Sequence, residues 1–290
     1  VNILDSSACA RQHMRRFSSK GERMHFKVIG CHALRRELYA CAARSPHLVD
    51  VIMLPQGLHE QPDLLQGEVQ REIDAPPMTH QRSWQGLADS LIESDQPFDA
   101  VLLGYALCSN GTANLRAGAC PLVIPRAHDC ISLLLGSARS YREYFDKHPG
   151  TYWYSSGWIE TCLMPGKERY EQTLAHYVRQ YGEENAKYLM EMQSDWYKAY
   201  HRAAYVDWGF PNSAREKDFT RQCAAELGWE YDELPGDAGL LQRLLDGVWP
   251  EDEFLVLQPG QVSEADPAGA GILKVKLPAP PADELHMAHQ

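Results

Sequence analysis

The order of apolar and polar stretches predicts an α/β fold: a mostly parallel sheet flanked by helices, divided into two Rossmann-like lobes. Three observations carry that expectation. Short, strongly apolar runs alternate with longer amphipathic ones, the pattern of strands joined by crossover helices. Runs so uniformly apolar suit strands covered on both faces. Turn-forming residues separate most of them. The composition, 44% hydrophobic and 23% charged over 290 residues, leaves room for one large domain or two modest ones.

The first convincing strand is Phe26–Gly30, directly after Met24, and Ala33–Ala43 is the helix that follows it. Val49–Leu54 reads as the second strand. Residues 56–82 form a long polar insertion, expected to act as a lid or an arm. Trp84–Ser94 reads as a helix, Ala100–Gly104 and Leu122–Pro125 as the third and fourth strands, and Ile131–Phe145 as the next helix. Gly150–Gly166 is expected to hinge an N-terminal lobe (24–150) to a C-terminal lobe (151–262). A long helical region then runs through Lys167–Arg202 with a break at Gly182. Weaker strands follow at Ala204–Asp207, Trp229–Glu233 and Phe254–Leu257, with helices at Ala214–Leu227 and Ala238–Leu245. Residues 1–23 are polar and basic, lack the apolar stretch of a secretory signal, and are expected to be a disordered extension. Residues 263–290 are expected to be a C-terminal tail, in which nothing fixes His286 and His289 as ligands.

Lys plus Arg total 28 against 39 Asp plus Glu, a formal charge of −11. So acidic a chain is poorly suited to nucleic acid or anionic membranes, whose phosphates require a basic face. No apolar run approaches the ~18–20 residues of a membrane span. Eight cysteines are too sparse for a disulfide framework in a chain of this length. The expectation is a cytoplasmic protein with reduced thiols.

The positions of the cysteines are the informative feature. Cys31 ends HFKVIGC, Cys108 follows FDAVLLGYALC, and Cys130 follows PLVIPRAHDC. In each case an apolar strand ends, a short turn follows, and the cysteine stands near a helix start. In an open parallel sheet all three positions lie on the carboxyl edge, where ligands bind. Helix amino termini favour thiolate, so three such thiols are expected to ionise near neutral pH and hold a soft metal. The competing reading treats each as a small buried hydrophobe. Cys41 and Cys223 fit that reading, Cys9 falls in the extension, Cys120 lies at the opposite sheet edge, and Cys162 is the candidate fourth thiol.

Polar residues surround this trio. Arg126 would balance a thiolate cluster or clamp a carboxylate. His128 would be a ligand or proton donor, and Asp129 a catalytic acid or a helix N-cap. Gly104 and Asn110 permit tight turns beside a cofactor. Tyr152, Tyr154 and Trp158 would wall a pocket, with Glu160 as acid or base. GYALCSNG lacks the glycine-and-lysine pattern of a phosphate loop, so ATP binding is not inferred.

The strings CHALRREL, LLGYALCSNG, VIPRAHDCISLLLGS, HPGTYWYSSGWIE and GDAGLLQRLLDGVW together resemble the family catalogued as domain of unknown function 1638, over approximately His25 to Gln261. The resemblance implies no established reaction. The cysteine arrangement is also similar to that of quinolinate synthase, in which three strand-end cysteines hold an iron–sulfur cluster with one open iron, a likeness of architecture alone.

Three classes of function follow. Cys31, Cys108 and Cys130 would hold a [4Fe–4S] cluster with one open iron in a metalloenzyme, or zinc with one open position for thiol alkyl or methyl transfer. Alternatively, Cys108 or Cys130 is a metal-free nucleophile with His128 as base. The third class is a non-enzymatic module that delivers metal or cofactor. The partner is accordingly a small-molecule substrate or a partner metalloprotein. The cluster is the first expectation and zinc the second.

Overall fold

The computed structural model describes residues 23–76, 97–266 and 272–277. The N-terminal extension up to residue 22, the Trp84–Ser94 helix and the segment from Pro278 with His286 and His289 lie outside the described residues.

Strand β1 (His25–Cys31) is buried from Phe26 onward and runs into a single 3-10 turn, His32–Leu34, and helix α1 (Arg35–Ala42). Strand β2 (Leu48–Leu54) leads to helix α2 (Pro62–Asp74). Pro62 occupies its first turn, where a missing N–H costs nothing, and Leu65, Val69 and Ile73 make its buried stripe. β3 (Ala100–Gly104) and β4 (Leu122–Pro125) are buried at every position. Helices α3 (Cys130–Leu134) and α4 (Ala138–Lys147) precede β5 (Thr151–Tyr154) and α5 (Ser156–Thr161). Next come α6 (Lys167–Tyr181) and α7 (Glu183–Ser194), separated at Gly182 as expected, then β6 (Arg202–Asp207), α8 (Ser213–Leu227) and β7 (Glu230–Pro235). The chain closes with α9 (Gly239–Leu245), β8 (Phe254–Leu257) and an antiparallel pair, β9 (Ser263–Asp266) and β10 (Ile272–Val275).

The fold is mixed α/β, as the sequence predicts. Its larger sheet has the order β2-β1-β3-β4-β8, with the first four strands parallel and β8 antiparallel to β4. The chain moves outward from β1 to β2, then returns to place β3 on the other side of β1. The reversal sends α1 and α2 to opposite faces. Leu34, Leu38 and Cys41 pack on one face with Phe26, Val28 and Leu102; Leu65, Val69 and Ile73 pack on the other with Ile29, Leu103 and Ile124. Helices diverging to opposite faces leave a crevice outside the carboxyl ends of β1 and β3, the usual ligand position in such sheets.

A second, wholly parallel sheet has the order β5-β6-β7. Trp153, Ala204 and Val206 on one of its faces join the core that contains Phe26, Leu38 and Leu134; Tyr154, Ala203 and Tyr205 on the other pack with Cys223 of α8. β8 belongs to the first sheet although it follows the second in sequence. Among the described residues no helix is long and apolar enough to cross a membrane.

Four local expectations are corrected. The polar insertion contains α2, whose apolar stripe covers the sheet, because three well-spaced residues suffice for an amphipathic helix whatever the polarity of the remainder. The Gly150–Gly166 stretch, expected as a hinge, holds β5 and α5, with Gly150 and Gly166 flanking structure and Gly157 inside α5. The Ile131–Phe145 helix is split at Gly136 (φ 75°), where Leu135 bridges to Asp237, and Ser137 caps the second piece by accepting from the Ser140 amide at 3.0 Å. The expected tail supplies β9 and β10, with Leu273 fully buried and the Ser263 amide donating to the Leu115 carbonyl at 2.8 Å.

The two sheets meet where α5 lies on the turn after β1. At Gly157 an added Cβ would collide with the Ala33 carbonyl, so only glycine permits this approach. Gly157→Ala is therefore expected to cost about 1–3 kcal/mol by overpacking. Urea denaturation followed by tryptophan fluorescence measures the loss; an unchanged midpoint would show that α5 does not need this contact.

Candidate functional site at the carboxyl edge of the larger sheet

Strand register places the first two site residues. Gly30 of β1 pairs with Gly104 of β3, so Cys31 and Tyr105 stand one step beyond and share a buried face. Gly104, a candidate for contacting a cofactor, is a packing position: a Cβ there would lie 2.8 Å from a methyl carbon of Leu38. Beyond the strands, β3 and β4 remain tied. The Leu107 amide donates to the Ala127 carbonyl at 2.8 Å and the Cys108 amide to the His128 carbonyl at 3.1 Å. These two bonds carry Cys108 alongside the segment that ends at Cys130.

The chain then turns through three successive non-glycine residues with positive φ, Cys108 (46°), Ser109 (56°) and Asn110 (70°). Left-handed backbone costs an L-residue roughly 1–2 kcal/mol, somewhat less for asparagine, and persists where surrounding contacts enforce it. Here the Gly111 amide donates to the Cys108 carbonyl at 3.0 Å, the Ala113 amide to the Asn110 carbonyl at 3.0 Å, and the buried Thr112 hydroxyl to the Ala106 carbonyl at 3.1 Å. Cys130 opens α3, with Asp129 as its N-cap accepting from the amides of Ile131 (3.0 Å) and Ser132 (3.4 Å).

Cys31, Cys108 and Cys130 line one cavity of about 280 Å³ together with Tyr105, Ser109, His128, Asp129, Gln56, His59, Trp153 and Trp158. Among the described residues, one polar atom on its wall, the Trp158 indole nitrogen, is buried without a hydrogen-bond partner, while the Tyr105 hydroxyl meets the Cys31 thiol. An orphaned group of this kind costs about 1–3 kcal/mol, which a bound ligand would offset.

Other candidates fall outside this cavity. Arg126 turns toward β10, where its guanidinium donates to the Leu273 carbonyl. Glu160 is ion-paired with Arg36, whose Nε lies 2.7 Å away, and with Arg35; the Arg36 hydrogen bond holds its carboxyl below the usual carboxylate range. Asn110 is exposed on the outer turn, and Tyr154 is buried in the second sheet, donating to the Pro165 carbonyl at 3.2 Å. Tyr152 and Cys162 line an adjoining cavity. Cys162 donates to the Trp158 carbonyl at 3.1 Å and contacts the Met164 sulfur at 3.5 Å. Cys41 and Cys223 are packing residues, 0% and 4% exposed. Tyr105, Gln56, His59, Ser109 and Trp153 are site residues that the sequence reading did not single out. Only for Tyr105 was a signal present, in its place just beyond the glycine paired with Gly30.

The thiols are not poised to ionise at neutral pH, contrary to expectation. Burial pushes Cys31 up, Cys108 up to about 12 and Cys130 well above the ordinary 9.0; charge on Cys31 adds to the rise of Cys108, and charge on both adds to that of Cys130. Burial, followed by charge on Cys31 and Cys108, also raises Tyr105, and burial raises Asp129 despite the amides it caps. Among the described residues, no three His, Cys, Asp or Glu side chains gather closely enough to hold a metal ion.

The model of a family described as "Protein of unknown function (DUF1638)" matches residues 53–245, well over half of the chain. No curated protein and no solved structure matches it.

The thiol environment predicts an alkaline instability. From the ordinary value of 9.0 up to about 12, folded Cys108 keeps a proton that the unfolded chain has released. Stability of the metal-free protein is therefore expected to fall as pH rises through that window. Urea denaturation at a series of pH values should give a shallower decline for Cys108→Ser; an identical slope would mean that Cys108 is not buried as a thiol.

Proposed function

The chain belongs to the DUF1638 family, and we propose that it is a metalloenzyme in which Cys31, Cys108 and Cys130 hold a [4Fe–4S] cluster with one iron left open. The observation that carries this reading is the convergence of three cysteines, from the ends of three parallel strands, on one cavity beside the β1/β3 reversal.

The donor set fits such a group. Three thiolates together in a buried pocket repel one another, and a bound cation centre is the compensation that makes their ionisation favourable. A single zinc would need sulfurs roughly 3.8 Å apart, from Zn–S bonds near 2.3 Å, whereas a cube accepts wider spacing. Held by Cys31, Cys108 and Cys130, such a cluster would supply Lewis acidity at its open iron. Around it, the Trp158 indole would donate a hydrogen bond to a bound polar group, and the Tyr105 hydroxyl would donate to the Cys31 sulfur. His128, which lines the same cavity, would move a proton, and Trp153 and Trp158 would exclude water from one wall.

The metal-free nucleophile is the weaker reading, because a thiol raised to about 12 offers little thiolate at neutral pH. A cavity of about 280 Å³ suits a small-molecule substrate rather than a macromolecular partner. All described cysteines are free, as a reducing cytoplasm would keep them.

Protein purified without oxygen is expected to contain about four iron and four sulfide per chain. Cys→Ser at position 31, 108 or 130 should abolish that content, whereas Cys223→Ser, far from the cavity, should retain it. Stoichiometric zinc without sulfide would select the zinc reading, and full iron in all three site variants would overturn both.

A further inference from the structure

We infer that the cavity adjoining the cysteine pocket binds a planar aromatic monocarboxylate, with the ring against the wall that Tyr152 and Trp158 form and the carboxylate on Arg169. The inference rests on the preceding reading for the direction in which the ligand points, though not for its binding. The adjoining cavity is about 550 Å³, within the range of small-molecule sites, and shares Gln56, His59, Trp153 and Trp158 with the cysteine pocket. A molecule seated in it can therefore extend its far end toward the thiols.

The lining selects the ligand chemistry. Tyr152 meets Tyr200 edge-on with ring centroids 5.3 Å apart, and meets Trp158 edge-on at 6.5 Å, with Trp229 behind it at 6.0 Å. These rings hold one another in fixed orientations, and a wall of ring faces and edges favours another flat ring over a saturated one. Arg169, on the first turn of α6, lines the same cavity and anchors one nitrogen on the Leu163 carbonyl at 3.2 Å. Its charge opposes the burial that raises Tyr152, Tyr197 and Cys162, so its field reaches across the cavity. A guanidinium beside an aromatic wall matches a carboxylate attached to an aromatic body. Exposed Glu60 also lines the cavity, and its like charge disfavours a second carboxylate on the ligand.

Indole-3-acetate, its amide, cyclohexanecarboxylate and phthalate are suitable probes, titrated into the purified protein by calorimetry and tryptophan fluorescence. Saturable binding of indole-3-acetate is expected, with each of the other three at least about tenfold weaker. Arg169→Gln should weaken indole-3-acetate about tenfold, and Arg169→Lys should restore part of the loss. Equal affinity for acid and amide, an unchanged affinity in Arg169→Gln, or no saturation would overturn the inference. Iron and sulfide measured on the same samples separate the two readings. Binding by protein that never acquires iron keeps this inference and defeats the cluster; cluster-loaded protein indifferent to every probe does the reverse.

Discussion

Two backbone hydrogen bonds, from Leu107 to Ala127 and from Cys108 to His128, are the constraint on which the candidate site depends. They prolong the β3–β4 pairing beyond the point where either segment is a strand. Without them Cys108 would ride on a free loop and Cys130 on a separate helix start. Each bond contributes only about 1 kcal/mol net, less than the strain of the left-handed turn they introduce. The balance comes from the apolar residues after the turn: Ala113, Leu115 and Ala117 are buried in the same cluster as Cys31 and Tyr105. Side-chain burial at roughly 1.5–3 kcal/mol for a leucine is large enough to hold an unfavourable backbone in place. β9 then locks the segment from outside, since the buried Ser263 hydroxyl donates to the Thr112 carbonyl at 2.8 Å and accepts from the Leu115 amide at 2.9 Å.

The same burial that secures the loop sets its electrostatics. A thiol surrounded by Tyr105, Trp153 and Trp158 has little water to stabilise its anion, and the neighbouring thiols add mutual repulsion. Ligand binding at such a site is coupled to proton release, so affinity for a cationic centre rises with pH. Of the neighbouring arginines, Arg126 is directed to β10, and Arg35 and Arg36 are engaged with Glu160.

Sequence alone revealed the strands and the cysteines well, for a simple reason. β1, β3 and β4 are buried on both faces, so their apolar runs are uninterrupted, and a cysteine just beyond such a run stands out. Side-chain direction was not legible. Arg126 faces β10, which comes from a stretch whose composition suggested a tail. Glu160 finds Arg36 only because α5 lies against the turn after Cys31, a contact between segments more than a hundred residues apart. Tyr105 reads as one more core aromatic until strand register sets it beside Cys31. Nor could local pattern foresee that buried thiols would be held as thiols, because the helix-start argument considers only a few residues, whereas desolvation depends on everything packed around them.

The junction between the two sheets explains why the aromatic wall belongs to the site at all. Trp153 comes from β5 and Trp158 from α5, both part of the second sheet's layer, yet both line the cavity at the carboxyl edge of the first. Their position depends on close contact at Gly157 and on the Arg36–Glu160 ion pair, one apolar and steric, the other partly exposed and screened. The steric contact must dominate, since a surface pair contributes at most about 1 kcal/mol. On the far side, Trp208 donates its indole N–H to the Leu134 carbonyl at 3.0 Å, fixing the end of the Cys130 helix to the carboxyl edge of the second sheet. One sheet thus supplies the three cysteines and the other the aromatic walls beside them, so displacing the sheets against each other would open the pocket and pull on the helix that Cys130 begins.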